Sequence, residues 1–245
     1  MEQRLTQSEF DAVASAWAAF LNRASPAEVQ ALFHSGSPES RLYQTSVRFD
    51  LTTTITELLS TVGIGRVLVR FVLLPPAGPG EPVPAPPRFR LVLYAADQLG
   101  GRISAYYQSD AAWQEIKPKD PADYQGLVPY NLIKNWLNAW VTVATKRQLN
   151  AAMFATKYGP LQGYDFELSD FMDSLFPTKS FDNQHLYIRF GLKTYYPAYP
   201  EKLKEPVQTF GLVVRLYSPQ GSEDMEGSDD TGGPSYDLAQ AYPPG

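Results

Sequence analysis

The apolar residues Val67, Val69, Phe71 and Leu73 alternate along one stretch and return 119 positions later as Leu186, Ile188, Phe190 and Leu192, each set carrying an arginine at its centre, Arg70 and Arg189. Strict alternation sends every second side chain to the same side of a strand, so each set is the buried face of one strand. A chain that writes this face twice must build the same kind of core twice. That requirement narrows the possible folds more than any other feature of the sequence.

The neighbouring elements keep nearly the same spacing. Thr6-Gln-Ser-Glu9 is a capping box, and Phe10, Val13, Ala14, Trp17 and Leu21 follow at helical spacing. Its counterpart starts at Pro129 and carries Ile133, Trp136, Leu137 and Trp140, which places Trp136 opposite Trp17. Ser25-Pro-Ala-Glu28 caps a second helix, matched by Thr145-Lys-Arg-Gln148. Then comes a strand through Val47, Phe49 and Leu51, matched by Tyr164, Phe166 and Leu168. Thr52 and Ser169 are placed to cap a third helix, whose apolar residues Ile55, Leu58 and Leu59 recur as Met172, Leu175 and Phe176; Gly63 and Pro177 terminate it. After the opening strands, Phe89 to Leu93 matches Phe210 to Val214, and a short strand near Ile103 to Tyr107 matches Leu238 to Tyr242.

Offsets that stay between 117 and 121 through six elements point to a tandem duplication. The expected architecture is α+β, with two homologous units that each run helix, helix, strand, helix and then a three-stranded antiparallel meander. The first unit covers 1–109 and the second 127–245. Residues 110–126 are charged and contain Pro118 and Pro121, and so read as a linker.

Composition limits the partners. Of the 245 residues, 44% are hydrophobic and 13% aromatic, enough to build a core and too many for a disordered chain. The balance of 21 basic against 26 acidic residues leaves a net charge of −5 with no long basic run, which argues against nucleic acid as a partner. MEQRLTQSEF has neither the basic start nor the apolar core of a signal peptide, and no stretch approaches the ~20 apolar residues of a membrane span. No transmembrane segment and a cytoplasmic location are therefore expected. The absence of cysteine removes disulfides, cysteine-zinc sites and thiol catalysis.

The run Tyr187 to Leu192, YIRFGL, and the ending YDLAQAYPPG resemble small proteins of Bacteroidota-type bacteria that carry an IRIYYGL-like strand, a following LVLVG-like strand and a Pro-Pro near the C-terminus. The likeness covers about the last third of each unit. Those proteins often flank the Pro-Pro with cysteines, which this chain lacks. The resemblance implies a bacterial cytoplasmic protein and brings no activity with it.

Residues that carry chemistry are sparse. His34 and His185 stand at non-equivalent places and outside any set with metal-ligand spacing, so they read as surface or capping residues. Arg70 and Arg189 recur, as do Asp50 and Glu167 on the preceding strand. A repeated anion site is one reading. Arg–carboxylate pairs tying strands together is the preferred one. The acidic segment 222–230 lacks the ligand order of a calcium loop, the Pro-rich segment 75–87 reads as a stiff hairpin loop, and the glycines of 63–65 and 159–163 lack the lysine of a phosphate loop. No catalytic residue, cofactor or metal is assigned. The expected function is a non-enzymatic structural protein that associates with itself, as a head-to-tail filament or scaffold. The alternative is an adaptor or immunity-type module that grips another protein through Tyr195, Tyr196 and Tyr199 or through the Pro-rich loop.

Overall fold

The computed structural model describes residues 4–34, 42–75, 87–115, 128–156, 158–173, 185–195, 207–217 and 240–242. In chain order they form β1 (Arg4–Leu5), α1 (Gln7–Leu21), α2 (Pro26–Leu32), β2 (Leu42–Asp50), a π-helical turn (Leu51–Ile55), α3 (Thr56–Leu59), β3 (Arg66–Leu74), β4 (Arg88–Ala96), β5 (Tyr106–Gln108) and β6 (Asp110–Glu115). The second half contains α4 (Val128–Thr145), a 3-10 turn (Ala151–Phe154), β7 (Ala155–Thr156), β8 (Gly159–Pro160), β9 (Gly163–Glu167), α5 (Leu168–Asp173), β10 (His185–Tyr195), β11 (Val207–Tyr217) and β12 (Gln240–Tyr242). The chain is α+β.

The first two helices start where the capping boxes place them. Thr6 accepts from the Glu9 backbone N–H, while the Glu9 carboxylate accepts from the Thr6 backbone N–H at 2.8 Å; Ser25 and Glu28 do the same, also at 2.8 Å. Hydrogen bonds to the charged form hold both carboxyls below the ordinary value of 4.5.

Later starts are set by different residues from those expected. Thr145 ends α4 and donates its hydroxyl back to the Val141 carbonyl, so it caps nothing downstream. Arg147 turns the chain at φ 56°, and Asn150 accepts from the Ala152 N–H to cap the 3-10 turn. In the first half Asp50 accepts from the Thr53 N–H at 2.9 Å, while the side chain of Thr52 lies outside the described ones. Ser169 lies inside α5, which begins at Leu168. Leu175, Phe176 and Pro177 lie outside the described residues.

Ten of the strands form two larger sheets, in the orders β1-β5-β4-β3-β9-β12 and β11-β10-β2-β6. Each is built around a hairpin of one half and extended by strands of the other. β3 and β4 continue into β9 and β12, and β10 and β11 continue into β2 and β6. The three-stranded meander expected in each unit exists in the first, as β3-β4-β5. In the second, the last strand pairs with β9 instead of β11. Asp110–Glu115, placed in the linker by its charge, is strand β6 on the edge of β2. Residues 116–126 of that linker lie outside the described residues.

The alternating residues face one another across a single core. Val67, Val69 and Phe71 meet Leu186, Ile188 and Phe190 there, joined by Trp17, Phe33, Phe89, Trp140, Phe154 and Phe210. A smaller cluster on the other face of β3 sets Phe10 and Val13 of α1 against Val72, Val92 and Tyr106. On β10, Gly191 lets α4 approach so closely that an added Cβ would lie 3.1 Å from the Trp136 Cβ.

Two outcomes follow from this packing. Gly163 has φ +154° where β9 meets β3, and a Cβ there would fall 2.0 Å from the Val69 carbonyl oxygen. Gly163→Ala is therefore expected to cost more than ~2 kcal/mol in urea unfolding, against ~1–2 kcal/mol for Gly100→Ala, where φ is +86° and the space is open. The capping carboxylates have lowered values in the folded chain, so their stabilisation is complete above pH 4.5 and lost as pH falls through the lowered values. The stability difference between the parent and Glu9→Ala/Glu28→Ala should shrink towards zero in acid, as measured by denaturant unfolding along a pH series.

Candidate functional site

The chemically distinctive side chains gather where the halves meet. Arg70 lies on β3 opposite Gly163 of β9, where the two backbones approach too closely for a side chain at Gly163. Its Nη1 donates to Asp165 Oδ1 at 2.6 Å and to the Tyr164 carbonyl at 3.2 Å. The Arg70 side chain is 6% exposed and that of Asp165 20%, and the guanidinium also lies 5.7 Å from the centre of the Tyr94 ring. A buried guanidinium with a short carboxylate bond and a carbonyl partner is a satisfied ion, and its charge is directed at the neighbouring strand.

Arg70 takes Asp165 as its carboxylate, Glu167 pairs with Arg66 at 3.2 Å, and Asp50 caps the π-helical turn. Arg189 stands on β10 opposite Ser46, and His185 stands opposite Asp50. Glu167 and Asp50 thus hold matching ladder positions, each facing the first residue of the other half's hairpin, Arg66 or His185. The carboxylate that holds Arg70 was not legible from spacing, because Asp165 has Arg48 as its counterpart 117 residues earlier. Arg48 makes its own pair with Asp110 at 3.8 Å.

Two indoles bind across the same seam. Trp17 Nε1 donates to the Leu161 carbonyl at 2.8 Å, and Trp140 Nε1 donates to the Gln44 carbonyl at 3.2 Å. Leu161 and Gln44 in turn donate their N–H groups to the carbonyls of Phe154 and Phe33, at 2.7 and 2.9 Å. The rings of Phe33 and Phe154 stack with centroids 5.6 Å apart and an interplanar angle of 0°. Trp140, not Trp136, therefore plays the part of Trp17. Trp136 packs on Gly191 and lies 5.1 Å from Lys193 Nζ.

Gln30 adds a further cross-link, its Nε2 donating to the Ala144 carbonyl at 2.8 Å and its Oε1 accepting from the Leu149 N–H. Tyr164 donates its hydroxyl to the Phe210 carbonyl. Burial pushes the Arg90 guanidinium down to about 10, still charged at neutral pH. His34 bridges to Tyr43, and its ring packs edge-on against the Tyr43 ring. Tyr195 ends β10 opposite Val207, while Tyr196 and Tyr199 lie outside the described residues, as do segments 76–86 and 222–230. Among the described residues no three His, Asp or Glu side chains are grouped to hold a metal, and no helix is long and apolar enough to cross a membrane.

Chemically, this arrangement recognises one half with the other. Asp165→Asn removes the carboxylate from a buried guanidinium and is expected to cost ~3–5 kcal/mol in chemical unfolding, whereas Arg70→Met/Asp165→Leu should recover most of that loss. Trp17→Phe and Trp140→Phe should each cost ~1–3 kcal/mol, since a buried carbonyl loses its donor while most of the ring packing remains.

No family model, curated protein or solved structure matches this chain.

Proposed function

We propose that the chain is a duplicated, non-enzymatic structural protein of the bacterial cytoplasm whose two halves close on each other about a pseudo-twofold axis, and that it acts by associating with further copies of itself. The observation that carries this reading is the reciprocal extension of the sheets, β3 into β9 and β10 into β2. Related units meet in a self-complementary way or head to tail. The equal and opposite pairing, the matched indole bonds and the parallel stack of Phe33 on Phe154 favour the self-complementary way.

The repeated charges support the structural part of the reading. Arg70 is matched to Asp165 and Glu167 to Arg66, both across the seam. A repeated anion site would instead hold its guanidinium open to a ligand. The cytoplasmic location follows the resemblance of the strand and C-terminal motifs.

Self-association is tested on the full chain by light scattering coupled to size exclusion, and by high-speed pelleting with negative-stain microscopy, across protein concentration and salt. Dimers or ordered assemblies that grow with concentration are the expected result. A monomer at every concentration would overturn the proposal and move attention to another protein as partner, with Tyr195, Tyr196, Tyr199 and the Pro-rich segment 75–87 as the positions to vary.

A further inference from the structure

The seam that joins the halves also says how a second copy can be met. β9 pairs with β3 and β12, and β2 with β10 and β6, so each half leaves a strand edge that only the other half fills. The same is true of the donors. Trp17, Trp140, Gln30 and Arg70 all find their partners in the opposite half. Between Glu115 at the end of β6 and Val128 at the start of α4 lie twelve residues, 116–127, the sole covalent connection between two bodies otherwise held by non-covalent contacts.

We infer that a second copy associates by reciprocal exchange: the half ending at residue 115 in one chain closes on the half starting at residue 128 in another, and the reverse, giving a twofold dimer. This inference rests on the self-association reading above. Every strand pair, indole bond and ion pair across the seam is reproduced between chains, while those within a half stay as they are, so the exchanged dimer differs in contact energy only at the connections. Twelve residues reach at most about 40 Å when extended.

Concentration decides the balance between the two forms. Within one chain the halves see each other at an effective concentration on the order of millimolar, so the closed monomer prevails in dilute solution. Exchange also requires the shared core to open. The dimer therefore forms when chains fold together at high concentration, and it persists after dilution because separation means unfolding.

Arg66 and Glu167 provide the test. They face each other across β3 and β9, their side chains are 43% and 59% exposed, and the chain has no cysteine of its own. Facing positions in an antiparallel pair have Cα separations that suit a disulfide. The full-length Arg66→Cys/Glu167→Cys variant is refolded under reductant over a range of protein concentrations, fractionated by size, oxidised and run without reductant. The expected result is a monomer fraction that stays monomeric on the gel and a dimer fraction that shifts to twice the mass.

A dimer fraction whose bridge lies within each chain would overturn the exchange while leaving self-association standing. Absence of any dimer at any concentration would overturn both. Should the double variant fold poorly, Arg66→Cys and Glu167→Cys are refolded together as separate chains, one carrying a size tag. Exchange brings 66 of one chain to 167 of the other and yields the mixed bridge; its absence from a mixture that contains mixed dimers would overturn the exchange.

Discussion

The pairing of β3 with β9 and of β10 with β2 is the constraint on which the rest of the structure depends. A two-stranded hairpin is marginal in water, because one face and two edges remain unsatisfied. Here the β10-β11 hairpin gains its third and fourth strands, β2 and β6, from the opposite half, and the run β1-β5-β4-β3 is extended by β9 and β12. The aromatic core then lies between the two sheets, with Phe71 and Phe89 from one hairpin against Phe190 and Phe210 from the other. Without the cross-half pairs, the large apolar faces of β3 and β10 would stand open to water.

Apolar burial supplies most of the stabilisation, but it is not directional and would tolerate a slipped strand. A one-residue slip of β9 along β3 would turn Tyr164 and Phe166 away from the core. It would also separate Arg70 from Asp165 inside the protein and carry Gly163 away from a place where a side chain cannot fit. The buried ion pair and the glycine thus act on register more than on total stability, since an apolar pair of similar volume could contribute as much to the latter. The indoles do the same for the helices, fixing α1 and α4 to single carbonyls across the seam.

Much of the local structure is legible in the sequence, because its causes are local. Thr6 with Glu9 and Ser25 with Glu28 satisfy helix ends within four residues, and the alternation through Val67 to Leu73 and Leu186 to Leu192 marks core faces without reference to any partner. The caps that were misplaced had competitors nearby. Thr145 finds a better acceptor one helical turn back, and Asp50 offers a charged oxygen to the Thr53 N–H. Charge made Asp110–Glu115 look like a linker, whereas its backbone pairs with β2.

Strand partnership was not legible, for a physical reason. Period-two alternation names a face and never the neighbour, so β3 followed by its own half's strands and β3 followed by β9 produce the same pattern. The similar apolar faces of the two hairpins deepen the ambiguity. The residues that resolve it are those in which the two halves differ. Gly163 stands where the first half has Ser46, Asp165 where it has Arg48, and Trp140 is displaced by four positions from the tryptophan that spacing alone would align with Trp17. Two hairpins with similar apolar faces could meet in several ways; it is the residues in which the halves differ, placed along β9 and α4, that single out the way they meet.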